Sequence, residues 1–140
     1  MSEKLIVIGG TAAGLSAASK AKRVKPEMEI QVFEKSGYIS YGACGLPYFV
    51  GGMIAEPDDL VSLTVEQMTN KRGVPTYIHA EVTDIDRDGK TVTVKNLDNG
   101  EETVHTYDKL VIAAGARPIR PDIPGVDAEG VYYPVSYTHL

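Results

Sequence analysis

The sequence predicts an α/β fold: a parallel sheet opened by a β-strand, helix, β-strand unit, with a small antiparallel meander inserted before the sheet resumes. Three observations carry this. The first 34 residues read as an apolar run, an alanine-rich stretch and a second apolar run. The hydrophobic period changes to two between about residues 76 and 107. Lys109-Leu-Val-Ile-Ala113 then returns to the buried-strand pattern.

Each element has a local reason. Lys4-Leu-Ile-Val-Ile-Gly9 is short, β-branched and ends in glycine, which suits a strand buried on both faces. Ala12 to Val24 holds good helix formers and stops before Lys25-Pro26, where proline blocks continuation. Glu29 to Glu34 is the second strand. Residues 36–57 are punctuated by Gly37, Gly42, Gly45, Pro47, Gly51, Gly52 and Pro57, so only a short helix fits near their middle. Thr64-Val-Glu-Gln67 has the capping-box pattern and predicts a helix over about 65–72. Three strands are predicted at about 76–86, 91–97 and 101–107, with turns at Asp88-Gly89 and Asn99-Gly100. Pro118, Pro121, Pro124 and Pro134 mark the remainder as loop.

Composition bounds the function. The 140 residues are 43% hydrophobic and 24% charged, one domain's worth of ordinary globular chain. No run approaches the ~18 apolar residues of a membrane span. A net charge of −5 gives no broad basic surface, so no nucleic-acid partner is expected. Met-Ser-Glu-Lys runs straight into the first strand without a signal peptide, and a cytoplasmic location is expected. His79, His105 and His139 lack metal-ligand spacing, and the Asp84 to Asp88 cluster reads as a solvated turn, so no metal is expected.

The turn Gly9-Gly10-Thr11-Ala12-Ala13-Gly14 lies between strand and helix, where a dinucleotide-binding fold puts its phosphate turn. The helix start offers unpaired N–H groups and partial positive charge to a pyrophosphate. Gly9 permits the tight turn, and Gly14 lets the helix pack close to the strand. Thr11 stands where the middle glycine of G-x-G-x-x-G would be, so the backbone approach to phosphate differs slightly. Glu34, about 20 residues after Gly14, is placed to accept hydrogen bonds from ribose hydroxyls. These residues do not choose between FAD and a nicotinamide dinucleotide.

Cys44 is the single cysteine, so no internal disulfide forms. A lone cytosolic cysteine is commonly a small buried hydrophobe. Here the surroundings, Ile39-Ser-Tyr-Gly-Ala-Cys44-Gly-Leu-Pro-Tyr48, are polar and glycine-rich, and a short helix beginning at the thiol would favour the thiolate. A catalytic Cys44 would cycle through a mixed disulfide with a small thiol, or through a sulfenic acid.

Val7-Ile-Gly-Gly-Thr-Ala-Ala-Gly14, Phe33-Glu34-Lys35, the segment Ser40 to Tyr48, and Leu110-Val-Ile-Ala-Ala-Gly-Ala-Arg-Pro118 occur in that order. Over residues 3 to about 133 the chain resembles the N-terminal part of the single-cysteine pyridine nucleotide–disulfide oxidoreductases. It is most similar to coenzyme A disulfide reductases. The resemblance implies a Rossmann-like FAD-binding domain, here incomplete. Gly9, Thr11 to Gly14, Glu34 and Lys35 would line FAD, and Ala113, Ala114 and Gly115 would meet it again. Cys44 would be the redox-active nucleophile beside the flavin ring, receiving electrons from NAD(P)H through FAD. Ala114 stands where the family usually has threonine.

Ser16, Lys20 and Arg23 are spaced i, i+4, i+7 and form a short polar and basic stripe on the first helix. On spacing alone a solvated face explains them as well. The resemblance implies that they contact the nucleotide part of coenzyme A, with Ser40 close to the cysteine and Arg72 as a further basic contact. Ala43 replaces the asparagine that many relatives carry before the cysteine. The first glycine turn lacks the histidine of the peroxidase and oxidase relatives, which argues against a peroxidase and less strongly against an oxidase. An NADH oxidase and a polysulfide or persulfide reductase remain the alternatives within the family.

Working chains of the family continue with a nicotinamide-binding unit, a return to the FAD domain and a dimerisation domain, and the intact enzyme is expected to be a homodimer. The competing expectation is therefore a truncated flavin-binding fragment without activity. Residues 1–134 are read as a partial FAD-binding domain, with the meander at about 76–108. Residues 135–140 leave the family pattern and are read as a non-native tail that packs on nothing, Tyr137 and Leu140 included.

Overall fold

The computed structural model describes residues 2–116 and 119–131; the expected tail at 135–140 lies outside them. The chain divides into two compact units, Met1–Tyr41 with Val61–Ala114, and Gly42–Leu60 with Gly115–Leu140.

The larger unit holds two sheets. The first is parallel, with strands in the order β3-β2-β1-β7. Here β1 is Lys4–Ile8, β2 Glu29–Phe33, β3 Thr76–Tyr77 and β7 Lys109–Ile112. Helix α1, Ala12–Val24, connects β1 to β2, which pair in register from Lys4↔Glu29 to Ile8↔Phe33. The second sheet is an antiparallel meander of β4 Ala80–Asp86, β5 Thr91–Asn96 and β6 Glu102–Thr106.

The period-two geometry of a strand sends alternate residues to opposite faces, and here both faces are covered. Leu5 and Val7 of β1, with Ile30 and Val32 of β2, pack against Leu15 and Ala18 of α1 and against Met68 and Val74. Ile6 and Phe33 point the other way, into a second cluster with Ala80, Val92 and Val94 of the meander. That double burial is why β1 and β2 read as continuous apolar runs.

Two expected elements change. The strand expected at 76–86 is two strands: Thr76–Tyr77 joins β2 in parallel, and Ala80–Asp86 opens the meander. His79 divides them with a left-handed backbone, φ 50°. Its Nδ1 lies 2.8 Å from Asp98 Oδ1, and the Leu97 N–H donates to its carbonyl at 2.7 Å. The meander therefore starts at residue 80 rather than about 76. The helix expected at 65–72 forms, but its centre, Gln67–Lys71, is a π-turn with i→i+5 geometry. Its capping box is complete: Thr64 N–H donates to Gln67 Oε1 at 3.1 Å, and Gln67 N–H to Thr64 Oγ1 at 3.2 Å.

The smaller unit contains a single 3-10 turn Ala43–Gly45, the five-residue helix α2 Leu46–Val50, and a second 3-10 turn Pro57–Leu60. Gly42 N–H donates to the Leu60 carbonyl at 2.7 Å. Among the described residues no helix is long and apolar enough to cross a membrane.

Burial lowers the pKa of His105, whose ring lies 4.9 Å from that of Phe33. The unfolded chain thus takes up this proton first as pH falls. The contribution to stability is whole above the ordinary value near 6.5 and is lost as pH drops below it. Denaturation midpoints taken at about pH 7.5 and about pH 5.5 should fall less in His105→Phe than in the parent. An equal fall in both proteins would remove His105 as a source of the pH dependence.

Candidate functional site: a glycine turn and a basic cleft

The site begins where β1 ends. Gly9 has φ 101°, a conformation that side chains rarely adopt, and a Cβ there would run into the Ala113 carbonyl oxygen. Ala113 N–H in turn donates to the Ile8 carbonyl at 2.8 Å. A Cβ at Gly14 would overlap the Gly9 carbonyl oxygen, so α1 sits against the turn as closely as backbone allows. Thr11 is the N-cap of α1 in an extended conformation, φ −102°, which a β-branched residue accepts without strain. Its side chain makes no cap bond, and the first turn of α1 carries no acidic residue. The first amides of this 13-residue helix, from Ala12 and Ala13 onward, thus meet neither a cap from Thr11 nor an acidic side chain of their own turn. A turn without side chains, an uncapped helix start and a carboxylate at the end of the neighbouring strand fit a dinucleotide's pyrophosphate and ribose.

Glu34 lies directly beyond β2 and is 8% exposed. Its Oε2 accepts the Gly10 N–H at 2.6 Å and its Oε1 accepts the Ser36 N–H at 2.8 Å. Lys35 beside it is exposed, as is Ala114. Gly115, in the smaller unit, has φ 71°.

On the other side of the glycine turn a cleft of about 640 Å³ opens between α1 and the segment 63–72. Ser16, Arg23, Ser40 and Arg72, picked out in the sequence, all line it. Ser19, Lys22 and Lys71 line it too, and no carboxylate does. Arg72 Nη1 donates to Ser19 Oγ at 3.1 Å, and Lys22 Nζ to the Met28 carbonyl at 2.9 Å. The ion pairs described elsewhere, Glu3 with Lys25 and Lys109, His79 with Asp98, and Arg120 with Asp127, use none of the cleft's four cations. Ser40 holds a left-handed backbone, φ 51°. Its N–H donates to the Gly10 carbonyl at 2.8 Å, and its carbonyl accepts the Ser62 N–H at 3.0 Å.

Lys20 does not line the cleft. The i, i+4, i+7 stripe expected from Ser16, Lys20 and Arg23 is displaced by part of a turn. The face that meets the cleft runs through Ala12, Leu15, Ser16, Ser19, Lys22 and Arg23, and at about 100° per residue Lys20 falls just beyond its edge. That spacing was present in the sequence and would have found Ser19 and Lys22. Lys71 could not be found that way, because the π-turn carries it to the cleft beside Arg72.

Cys44 occupies the 3-10 turn of the smaller unit and is exposed, with a free thiol. It is not a core residue. The expected short helix follows it directly as α2.

A parallel β1-α1-β2 unit closed by a glycine turn, with an acidic group at the end of β2, defines a dinucleotide-binding domain. Residues 3–139 match the pyridine nucleotide-disulphide oxidoreductase family, and the chain belongs to it. An NAD(P)H coenzyme A polysulfide/persulfide reductase of Pyrococcus horikoshii is 42% identical over 94% of this chain and 28% of its own. A coenzyme A disulfide reductase of Staphylococcus haemolyticus is 36% identical over 81% of this chain and 26% of its own. Among solved structures, a water-forming NADH oxidase from Lactobacillus brevis bound to NADH superposes with a TM-score of 0.83. It is 38% identical over 91% of this chain and 28% of its own. The chain thus spans little more than a quarter of the length of these relatives.

Replacing Gly9 with alanine should destabilise the protein by more than about 2 kcal/mol, from backbone strain plus the clash with Ala113. At Gly100, φ 77° and nothing within 4 Å of a Cβ, only the strain remains. Gly100→Ala should cost about 1 kcal/mol. Urea denaturation compares the two, and equal losses would show that the close approach to Ala113 carries no weight.

Proposed function

We propose that this chain forms the FAD-binding part of an NAD(P)H-dependent disulfide oxidoreductase that reduces coenzyme A disulfide through Cys44. The observation that carries the substrate is the basic cleft. Four cations from two elements converge with three serines and no carboxylate, which suits a ligand with several phosphate charges. The names of the relatives from Pyrococcus horikoshii and Staphylococcus haemolyticus support the same ligand.

FAD would be held by the turn Gly9 to Gly14, by Glu34 and Lys35, and by Ala113 to Gly115, and it would relay two electrons from NAD(P)H. The chain's own chemistry is at the sulfur. The Cys44 thiolate attacks one sulfur of the substrate, forming a mixed disulfide and expelling the first thiol as its thiolate. Two electrons from NAD(P)H then cleave the mixed disulfide, releasing the second thiol and restoring Cys44. The net exchange is one disulfide, one NAD(P)H and one proton for two thiols and NAD(P)+. The same attack on a polysulfide or persulfide sulfur is the second reading, favoured by the 42% identity to the Pyrococcus horikoshii reductase. The working enzyme is proposed to be a homodimer in the cytoplasm.

In the intact protein, Cys44→Ser should abolish NAD(P)H-dependent thiol release while bound flavin is retained. Unchanged turnover would take Cys44 out of the mechanism. Arg23→Ala with Arg72→Ala should raise the KM for coenzyme A disulfide by about tenfold or more, yet leave a small neutral disulfide nearly unaffected. Equal effects on both substrates would make the cleft a solvated surface.

A further inference from the structure

We infer that Glu34 is a positioning residue for the basic cleft, acting through Gly10 and Ser40; this rests on the cleft being the substrate site. The reading of Glu34 from its place after β2 gives it a ribose. The structure gives its carboxylate a second task. Both oxygens hold backbone amides, Gly10 at 2.6 Å and Ser36 at 2.8 Å, and the side chain is buried. The carbonyl of the same Gly10 accepts the N–H of Ser40 at 2.8 Å. Gly10 therefore stands between the carboxylate on one side and the cleft residue on the other. The fit is tight: a Cβ on Gly10 would lie 2.8 Å from Ile39 Cγ2 and 2.9 Å from Glu34 Cβ.

The segment 36–40 is thus tied at its start, where Ser36 N–H reaches Glu34, and at its end, where Ser40 N–H reaches Gly10. Ile39, 2% exposed, anchors it between. This matters because Ser40 sits at φ 51°, a strained conformation for a residue with a side chain, which persists only where the surroundings hold it. What holds it is the Gly10 carbonyl on its N–H and the Ser62 N–H on its carbonyl. Glu34 fixes the Gly10 peptide that makes the first of these bonds, and so fixes where Ser40 lines the cleft.

Glu34→Gln separates this role from a purely cofactor-binding one. Whichever way the new amide points, one of the two N–H donors meets an NH2 group instead of an acceptor. Coenzyme A and pantetheine are titrated into the protein by calorimetry, with and without added FAD, and exchange of the Ser40 amide is followed by NMR. Glu34→Gln should weaken coenzyme A binding about tenfold in both conditions. It should also speed exchange at Ser40 while leaving the Val32 amide, bonded to the Pro75 carbonyl, as protected as before. A variant that changes only FAD affinity, with coenzyme A binding and Ser40 exchange as in the parent, overturns the inference. Failure of the parent to prefer coenzyme A over pantetheine would refute the substrate reading instead, and Ser40 exchange would then decide the role of Glu34 alone. Should Val32 lose protection too, Gly10→Ala replaces the variant. It keeps the carboxylate but forces Ile39 and Glu34 away from the turn, and the same two changes are expected of it; their absence overturns the inference.

Discussion

The structure depends on three close approaches in the glycine turn, two of them backbone against backbone, at Gly9 and Gly14, and one backbone against side chains, at Gly10. Gly9 abuts the Ala113 carbonyl, Gly14 abuts the Gly9 carbonyl, and Gly10 is pressed by Glu34 and Ile39. These approaches bring the ends of β1, β2 and β7 and the start of α1 to one point. Around that point the parallel sheet aligns its carboxyl ends, the place where open α/β sheets bind ligands. The glycines are a steric requirement first, and the polar surface they leave, bare amides at a helix start, is its consequence.

Charge is distributed around this point unevenly. Near the amino end of β1, Glu3 bridges Lys109 and Lys25, whose hydrogen bonds hold its carboxyl below the usual range, and it raises Lys25 in return. That network is exposed and adds little to stability, since water screens it. The four cations of the cleft are arranged differently. They come from α1 and the π-turn, and the carboxylates described here are paired or placed elsewhere. In a chain of net charge −5, a cluster of this sign with no carboxylate among the described residues that line it is the feature on which the proposed anionic substrate rests.

Most of the fold was legible because its signals are local. The continuous apolar runs of β1 and β2, the capping box at Thr64 and Gln67, and the Asp-Gly and Asn-Gly turns each state their structure within a few residues. What escaped was conformation set by distant partners. His79 takes φ 50° in a run that otherwise alternates like a strand, held by Asp98 and Leu97 from the far end of β5. The π-turn follows from no residue preference in Gln67–Lys71, yet it sets Lys71 and Arg72 side by side. The displacement of Lys20 has a simpler cause: of the i, i+4, i+7 stripe, Ser16 and Arg23 lie on the helix face that meets the cleft and Lys20 lies just beyond its edge.

The two tasks given to Glu34 do not compete. An ionised carboxylate offers about four lone-pair sites, and Gly10 and Ser36 take two of them, one on each oxygen. The remaining pairs are free to receive ribose hydroxyls, as its position after β2 calls for. One side chain thereby ties the geometry of the glycine turn to that of Ser40, through the Gly10 peptide that both of them bond.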